Sequence, residues 1–117
     1  GGLFVATTIG GSYAFMDFTR KRIYDGIDAD DYNLLFKAST ANVTSTFMQA
    51  LGWRGPSSTI STACAAGTNS IGRGYDFIAA GRIDVAVAGG IDIFTELSFA
   101  GFNSLQSMSK SLCQPFD

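Results

Sequence analysis

Ser57-Ser58-Thr59-Ile60-Ser61-Thr62-Ala63-Cys64-Ala65-Ala66-Gly67-Thr68 is the stretch on which the fold turns. Its first half is uncharged, small and β-branched, which favours a strand over Ser57–Ala63. Its second half is rich in Ala and Gly and begins a helix that can lie close to other backbone. Cys64 stands at the junction. A side chain on a sharp strand-to-helix turn is held away from the sheet, beside the N–H groups of the helix N-terminus. Such a position favours negative charge and suits a thiolate nucleophile.

The flanking segments repeat the same alternation. The helix after Cys64 is expected over Ala65–Ala80, where Thr68, Ile71, Tyr75, Ile78 and Ala79 recur at helical spacing, with Gly81 as its stop. Gly72 and Gly74 would cost it about 1 kcal/mol each against Ala, so both are expected to mark close packing on a buried helix. Ile83–Ile91 reads as a second buried strand ending in Gly89-Gly90, followed by a short helix over Thr95–Gly101. Upstream, Leu3–Thr8 reads as a strand buried on both faces. Ser12 is expected to cap a helix over Tyr13–Ile23 that ends at Tyr24-Asp25-Gly26. Ile27–Tyr32 reads as a solvated acidic loop. A helix is expected over Ala41–Leu51, with Val43, Phe47, Ala50 and Leu51 on one face and Gly52 as its stop. Strands alternating with helices give βαβ units, a parallel-rich sheet and an α/β layer fold.

Composition limits what such a fold can do. The 117 residues are about one small domain, and 46% hydrophobic content is enough for a core. Gly1 runs straight into an apolar strand and Asp117 ends a loop that has barely begun, so the chain reads as a piece of a larger protein. With 8 basic and 10 acidic residues it has no basic stripe to track nucleic acid phosphates. No apolar run approaches the roughly 20 residues of a membrane span, and the first apolar run lacks the charged lead of a secretory signal. Two cysteines, Cys64 and Cys113, make no disulfide framework, which fits a reducing, cytoplasmic setting.

Several chemistries fall away on spacing. Gly89-Gly90 and Gly10-Gly11 lack the pattern of a phosphate-binding loop. With no histidine and two distant cysteines, no metal site is expected. Asp28, Asp30 and Asp31 lack the later Gly and Glu of a calcium loop. Phe94, Phe99 and Phe102 read as core, although an acyl pocket would need the same residue types. Cys113 reads as incidental. Cys64 keeps two readings, a small buried hydrophobe or a nucleophile. A nucleophile needs a base or an electrostatic partner, and this chain has no imidazole to offer.

Taken together, Leu51-Gly52-Trp53-Arg54-Gly55-Pro56-Ser57, Thr62-Ala63-Cys64 with Gly67, the run Ala79 to Gly90, Gly101-Phe102 and Pro115-Phe116-Asp117 resemble the β-ketoacyl-acyl carrier protein synthases, the elongating type above all. The resemblance covers Leu3 to Asp117. It implies a thiolase-like fold with αβαβα layers, of which residues 1–117 form part of the N-terminal domain. It implies that Cys64 takes an acyl group from an acyl carrier protein or coenzyme A thioester, with its own N–H as an oxyanion donor. Ala63 and Phe102 match positions lining the acyl channel. A malonyl thioester would then lose carbon dioxide and attack the acyl-cysteine, with no cofactor. The strand before Cys64 would pair with its twin, implying a homodimer or a ketosynthase heterodimer. The family's two histidines, its lysine and its glycine-rich loop follow the Pro-Phe-Asp segment, so residues 1–117 alone would condense nothing. Gln106 stands where arginine is frequent, and Arg20, Lys21 and Arg22 fit a solvated helix face as well as a carrier dock. Related chain-length-factor subunits replace the cysteine, so Cys64 argues against that reading; the alternatives are a non-catalytic, truncated or split subunit and another thiolase-like acyltransferase.

Overall fold

β1 (Gly2–Ala6) is the middle strand of a three-stranded parallel sheet ordered β2-β1-β3, flanked by β2 (Ser57–Ile60) and β3 (Ala86–Gly90). This computed structural model describes residues 1–114 and 116, so Pro115 and Asp117 of the Pro-Phe-Asp segment lie outside the described residues. Leu3 pairs with Ser57 on one side and Val87 on the other, and Ala6 with Ile60 and Gly90. A strand between two others must be apolar on both faces. Leu3, Phe4, Val5 and Ala6 are all buried, as the continuous apolar run predicts.

The sheet is covered on both faces. α4 (Ala66–Ala79) lies over the face carrying Phe4, with Phe77 edge-on to the Phe4 ring at 5.0 Å. α3 (Ala41–Leu51) lies over the other, where the Thr44 and Thr59 hydroxyls meet at 2.6 Å. α1 (Ser12–Tyr24) packs against α2 (Tyr32–Ala38), and α5 (Glu96–Ser104) follows β3. The expected α/β layering and parallel sheet are therefore present.

Details depart from expectation for identifiable reasons. β2 stops at Ile60 rather than running to Ala63, because its one neighbour, β1, ends at Ala6; the last bond between them runs from the Thr7 N–H to the Ile60 carbonyl at 3.0 Å. β3 is shorter than Ile83–Ile91 and is not buried: it is a sheet edge, with Val85, Val87 and Ile91 about half exposed. Ser12 is the first helical residue of α1 rather than its cap. Gly11 takes that place at φ +85°, where an added Cβ would strike the Ala38 carbonyl. α4 buries only the stripe Ala66, Ser70 and Gly74 and leaves Ile71 and Tyr75 exposed. Gly74 touches the strands closely, since a Cβ there would lie 3.1 Å from that of Ala86, whereas one at Gly72 meets nothing within 4 Å. In α3 the sheet-facing residue is Thr44. Phe47 and Leu51 instead rim a hollow with Leu3, Val5 and Val87. α5 runs on to Ser104, and α2 has no counterpart in the sequence reading.

Candidate active site

All three strands point their C-terminal ends at one rim of the sheet, where open α/β sheets characteristically place their sites. The loop Thr7–Gly11 leaves β1 there, the turn holding Cys64 leaves β2, and Ile91-Asp92 leaves β3. A hollow of about 290 Å³ opens between them, lined by Thr7, Thr8, Ala63, Cys64, Gly67 and Asp92, among others.

The turn at Cys64 is the sharp one that the sequence requires. Ala63, Cys64 and Ala65 form one turn of 3₁₀ helix, closed by the Ala66 N–H on the Ala63 carbonyl, before α4 begins. Ala63 sits at φ +52°, a left-handed conformation unusual for a residue with a Cβ. Cys64 is exposed rather than a packed hydrophobe, so the structure removes the buried-cysteine reading. Two side chains brace the turn. Thr8 Oγ1 donates to the Ala63 carbonyl at 3.0 Å, and Asn69 Nδ2 on α4 donates to Thr62 Oγ1 at 2.7 Å.

Close backbone approach lets α4 start here. A Cβ on Gly90 would lie 3.3 Å from that of Ala6 and 3.5 Å from Gly67 Cα. Ser70, fully buried, shares its hydroxyl proton between the Gly67 and Gly89 carbonyls at 2.8 and 3.1 Å. Gly90 thus serves helix-to-strand packing, whereas Gly89 contributes its carbonyl and a Cβ there would meet nothing within 4 Å.

Asp92 is the residue that sequence reasoning missed. Its Oδ1 accepts from Thr7 Oγ1 at 2.7 Å, the Thr8 N–H at 2.8 Å and the Ile9 N–H at 2.9 Å. Burial is the largest influence on this carboxyl and pushes its pKa up. The donors from Ile9, Thr7 and Thr8 together outweigh it and hold the group below the ordinary carboxylate range. Thr7 is itself buried and accepts from the Gly10 N–H at 2.8 Å. An acid two residues after a strand that ends in paired glycines was the available signal.

Phe102 does not share the Cys64 hollow. It lies half exposed on α5 and lines an adjoining space of about 250 Å³ with Ile9, Asp92, Phe94, Phe99 and Met108. Asp92 borders both spaces. Phe94, Phe99 and Phe102 are therefore not core: they form an open aromatic wall, Phe94 and Phe99 meeting edge-on at 6.0 Å. A larger hollow of about 440 Å³ separates α1 from the start of α5. The Arg20–Glu96 pair at 3.2 Å lies on its lining, to which neither cysteine belongs. Lys21 is paired with Asp31 at 2.6 Å, so two of the three residues in the basic cluster are already engaged. Cys113 is exposed, outside any helix or strand. Among the described residues, no group of three or more His, Cys, Asp or Glu side chains is placed to hold a metal ion, and no helix is long and apolar enough to cross a membrane.

The family model described as "Beta-ketoacyl synthase, N-terminal domain" matches residues 1–117. Over 72 residues the chain is 36% identical to the 3-oxoacyl-[acyl-carrier-protein] synthase 2 of Staphylococcus aureus, a match covering 56% of this chain and 18% of that protein. It is 28% identical over 108 residues to the probable polyketide synthase 13 of Dictyostelium discoideum, covering 81% of this chain and 4% of that one. Among solved structures, the ishigamide ketosynthase/chain length factor superposes with a TM-score of 0.84 at 26% identity, over 99% of this chain and 29% of that one. A ketosynthase in complex with its chain length factor, from Xenorhabdus doucetiae, does so with a TM-score of 0.80 at 26% identity, over 98% and 29% of the two chains. The chain thus spans less than a third of the length of each of these relatives.

Proposed function

The chain belongs to the β-ketoacyl synthase N-terminal domain family, and from that premise we propose that Cys64 is the acyl-accepting nucleophile of a condensing enzyme. The supporting observation is its position: exposed, on a braced left-handed turn, at the C-terminal rim of a parallel sheet. The thiolate attacks the carbonyl carbon of an acyl thioester and expels the carrier's thiol, leaving the acyl group on sulfur. The Cys64 N–H, in the first turn leading into α4, is the oxyanion donor that this chain contributes. A malonyl thioester then loses carbon dioxide. The resulting carbanion attacks the acyl-cysteine carbonyl, forms the new C–C bond and returns the thiolate.

Ala63 lies beside the nucleophile, and Phe102 belongs to the adjoining wall along which an acyl chain would run. Residues 1–117 then form part of one domain, and the imidazoles that promote decarboxylation are contributed from outside them, since they contain no histidine. The acyl donors are acyl carrier protein or coenzyme A thioesters, in a cytoplasmic setting. The outer edge of β2 is where a second ketosynthase-like subunit pairs, in a homodimer or a heterodimer.

The test is acyl transfer to the intact protein that contains this chain. Incubated with a radiolabelled acyl-carrier thioester, it takes the label on the Cys64 peptide, and Cys64→Ala reduces it to background. Label that survives the substitution removes Cys64 from the nucleophile's role. Because the solved neighbours include chain length factor partnerships, a second reading as a non-catalytic subunit is carried in the same assay. It would be favoured if the label settled only on a co-purifying ketosynthase.

A further inference from the structure

We propose that Asp92 is a positioning residue for Cys64, acting through Thr8 and the Ala63 carbonyl. This rests on the reading of Cys64 as the nucleophile. The path is continuous. Asp92 Oδ1 gathers the Thr7 hydroxyl and the Thr8 and Ile9 amides within 2.7–2.9 Å, fixing the start of the loop that leaves β1. Thr8, its amide so held, directs its hydroxyl to the Ala63 carbonyl at 3.0 Å. Ala63 holds the left-handed φ of +52° that aims Cys64 into the hollow. A left-handed residue with a Cβ stays so only where its surroundings over-determine it, and the Thr8 bond is one of those constraints.

Asp92 also borders the aromatic space lined by Phe94, Phe99 and Phe102. It therefore stands where the nucleophile's hollow meets that space. A carboxylate already committed to three donors holds this corner of the wall without moving protons itself. It acts on the geometry of the acyl-transfer step and leaves the thioester's binding surface in place.

The experiment uses the intact protein with Asp92→Ala, Thr8→Val, Thr8→Ser and the double variant Asp92→Ala/Thr8→Val. Two rates are read: acyl transfer from an acyl-carrier thioester, and alkylation of Cys64 by iodoacetamide, located by peptide mass. Thr8→Val removes the hydroxyl, which bonds the Ala63 carbonyl and also acts on the Asp92 carboxylate, while the Thr8 N–H bond to Asp92 stays; Thr8→Ser restores the hydroxyl. Asp92→Ala and Thr8→Val are each expected to lower kcat on the order of tenfold or more with KM within about twofold, as misplacement of a reacting group does. Thr8→Ser stays near the parent rate. The double variant falls no further than the worse single one, because both act on one path.

The proposal is overturned if Thr8→Ser loses as much as Thr8→Val, or if the two single losses multiply in the double variant. It is also overturned if folded Thr8→Val keeps both parent rates. Should Asp92→Ala fail to fold, the Thr8 pair still decides. If Cys64→Ala retains acyl transfer, the nucleophile reading fails by itself, and the alkylation rates still report whether Thr8 positions the thiol.

Discussion

Ala63 carries the local strain of the site. A left-handed conformation costs an L-residue with a Cβ about 1–2 kcal/mol, and here the turn is fixed by the Thr8 and Asn69 hydrogen bonds. A β-branched side chain tolerates this φ least, so Ala63→Val should destabilise the fold by about 2 kcal/mol, read as a lowered denaturation midpoint. An unchanged midpoint would mean that the turn relaxes out of the left-handed region. Asp92 makes a different prediction. Its carboxyl is held below the ordinary range, so the folded state gives up this proton more readily than the unfolded one. The stabilisation is complete above the unfolded value of about 3.9 and is lost as pH falls through the folded one. The melting-temperature gap between parent and Asp92→Asn should therefore hold steady from about pH 7 to 5 and shrink below about pH 4. A gap that stays constant to pH 3 would refute the assignment. At this scale the sequence exposed Cys64, because a strand-to-helix junction is a local pattern. It hid Asp92 and Thr8, whose partnership joins residues far apart in the chain through the sheet.

Local pattern identified most of the elements. β1 was legible because its burial follows its continuous apolar run. α1, α3 and α4 were legible from apolar residues at helical spacing, yet the residues they bury are Phe18, Thr44 and the stripe Ala66, Ser70 and Gly74, while Phe15, Phe47, Ile71 and Tyr75 stay exposed. β3 misled, because strand composition does not reveal whether a strand lies at the centre or the edge of its sheet. α2 was missed because Tyr32–Ala38 buries none of its residues and so leaves no periodic trace. The two glycines of α4 looked alike in sequence and differ in the fold. A Cβ added at Gly74 would lie 3.1 Å from that of Ala86 and 3.4 Å from that of Ala88, whereas one at Gly72 faces open space. Gly74→Val should cost about 1–3 kcal/mol by overpacking. In the 117-residue chain, Gly72→Ala should add up to about 1 kcal/mol through helix propensity. Denaturant midpoints of the two variants check both signs. If Gly72→Ala instead destabilises the chain, the outer face of α4 is packed against something.

The molecule as a whole is a slab, with principal extents of 52 × 44 × 19 Å. Its radius of gyration is 17.1 Å, against about 13 Å for a compact chain of this length. Its accessible surface of 8438 Å² exceeds by roughly 2,300 Å² the value of about 6,100 Å² expected of a monomer of this mass. One side of a standard protein interface is about 800 Å², so the excess is not ordinary surface roughness. Much of the exposed surface is apolar: Ile71, Tyr75 and Ile78 on the outer face of α4, Leu51 and Val87 across the sheet, and the open aromatic wall of Phe94 and Phe102. Composition foretold enough hydrophobic residues for a core. It could not foretell that so many would lie outside one, because that depends on how many layers the chain itself supplies. β2 and β3 add two sheet edges, each a template for further strand pairing. The isolated 117-residue chain should therefore self-associate. Light scattering across a dilution series should show species above monomer mass, with strong binding of a hydrophobic dye. A monodisperse monomer that melts cooperatively and binds no dye would show instead that this slab is stable uncovered.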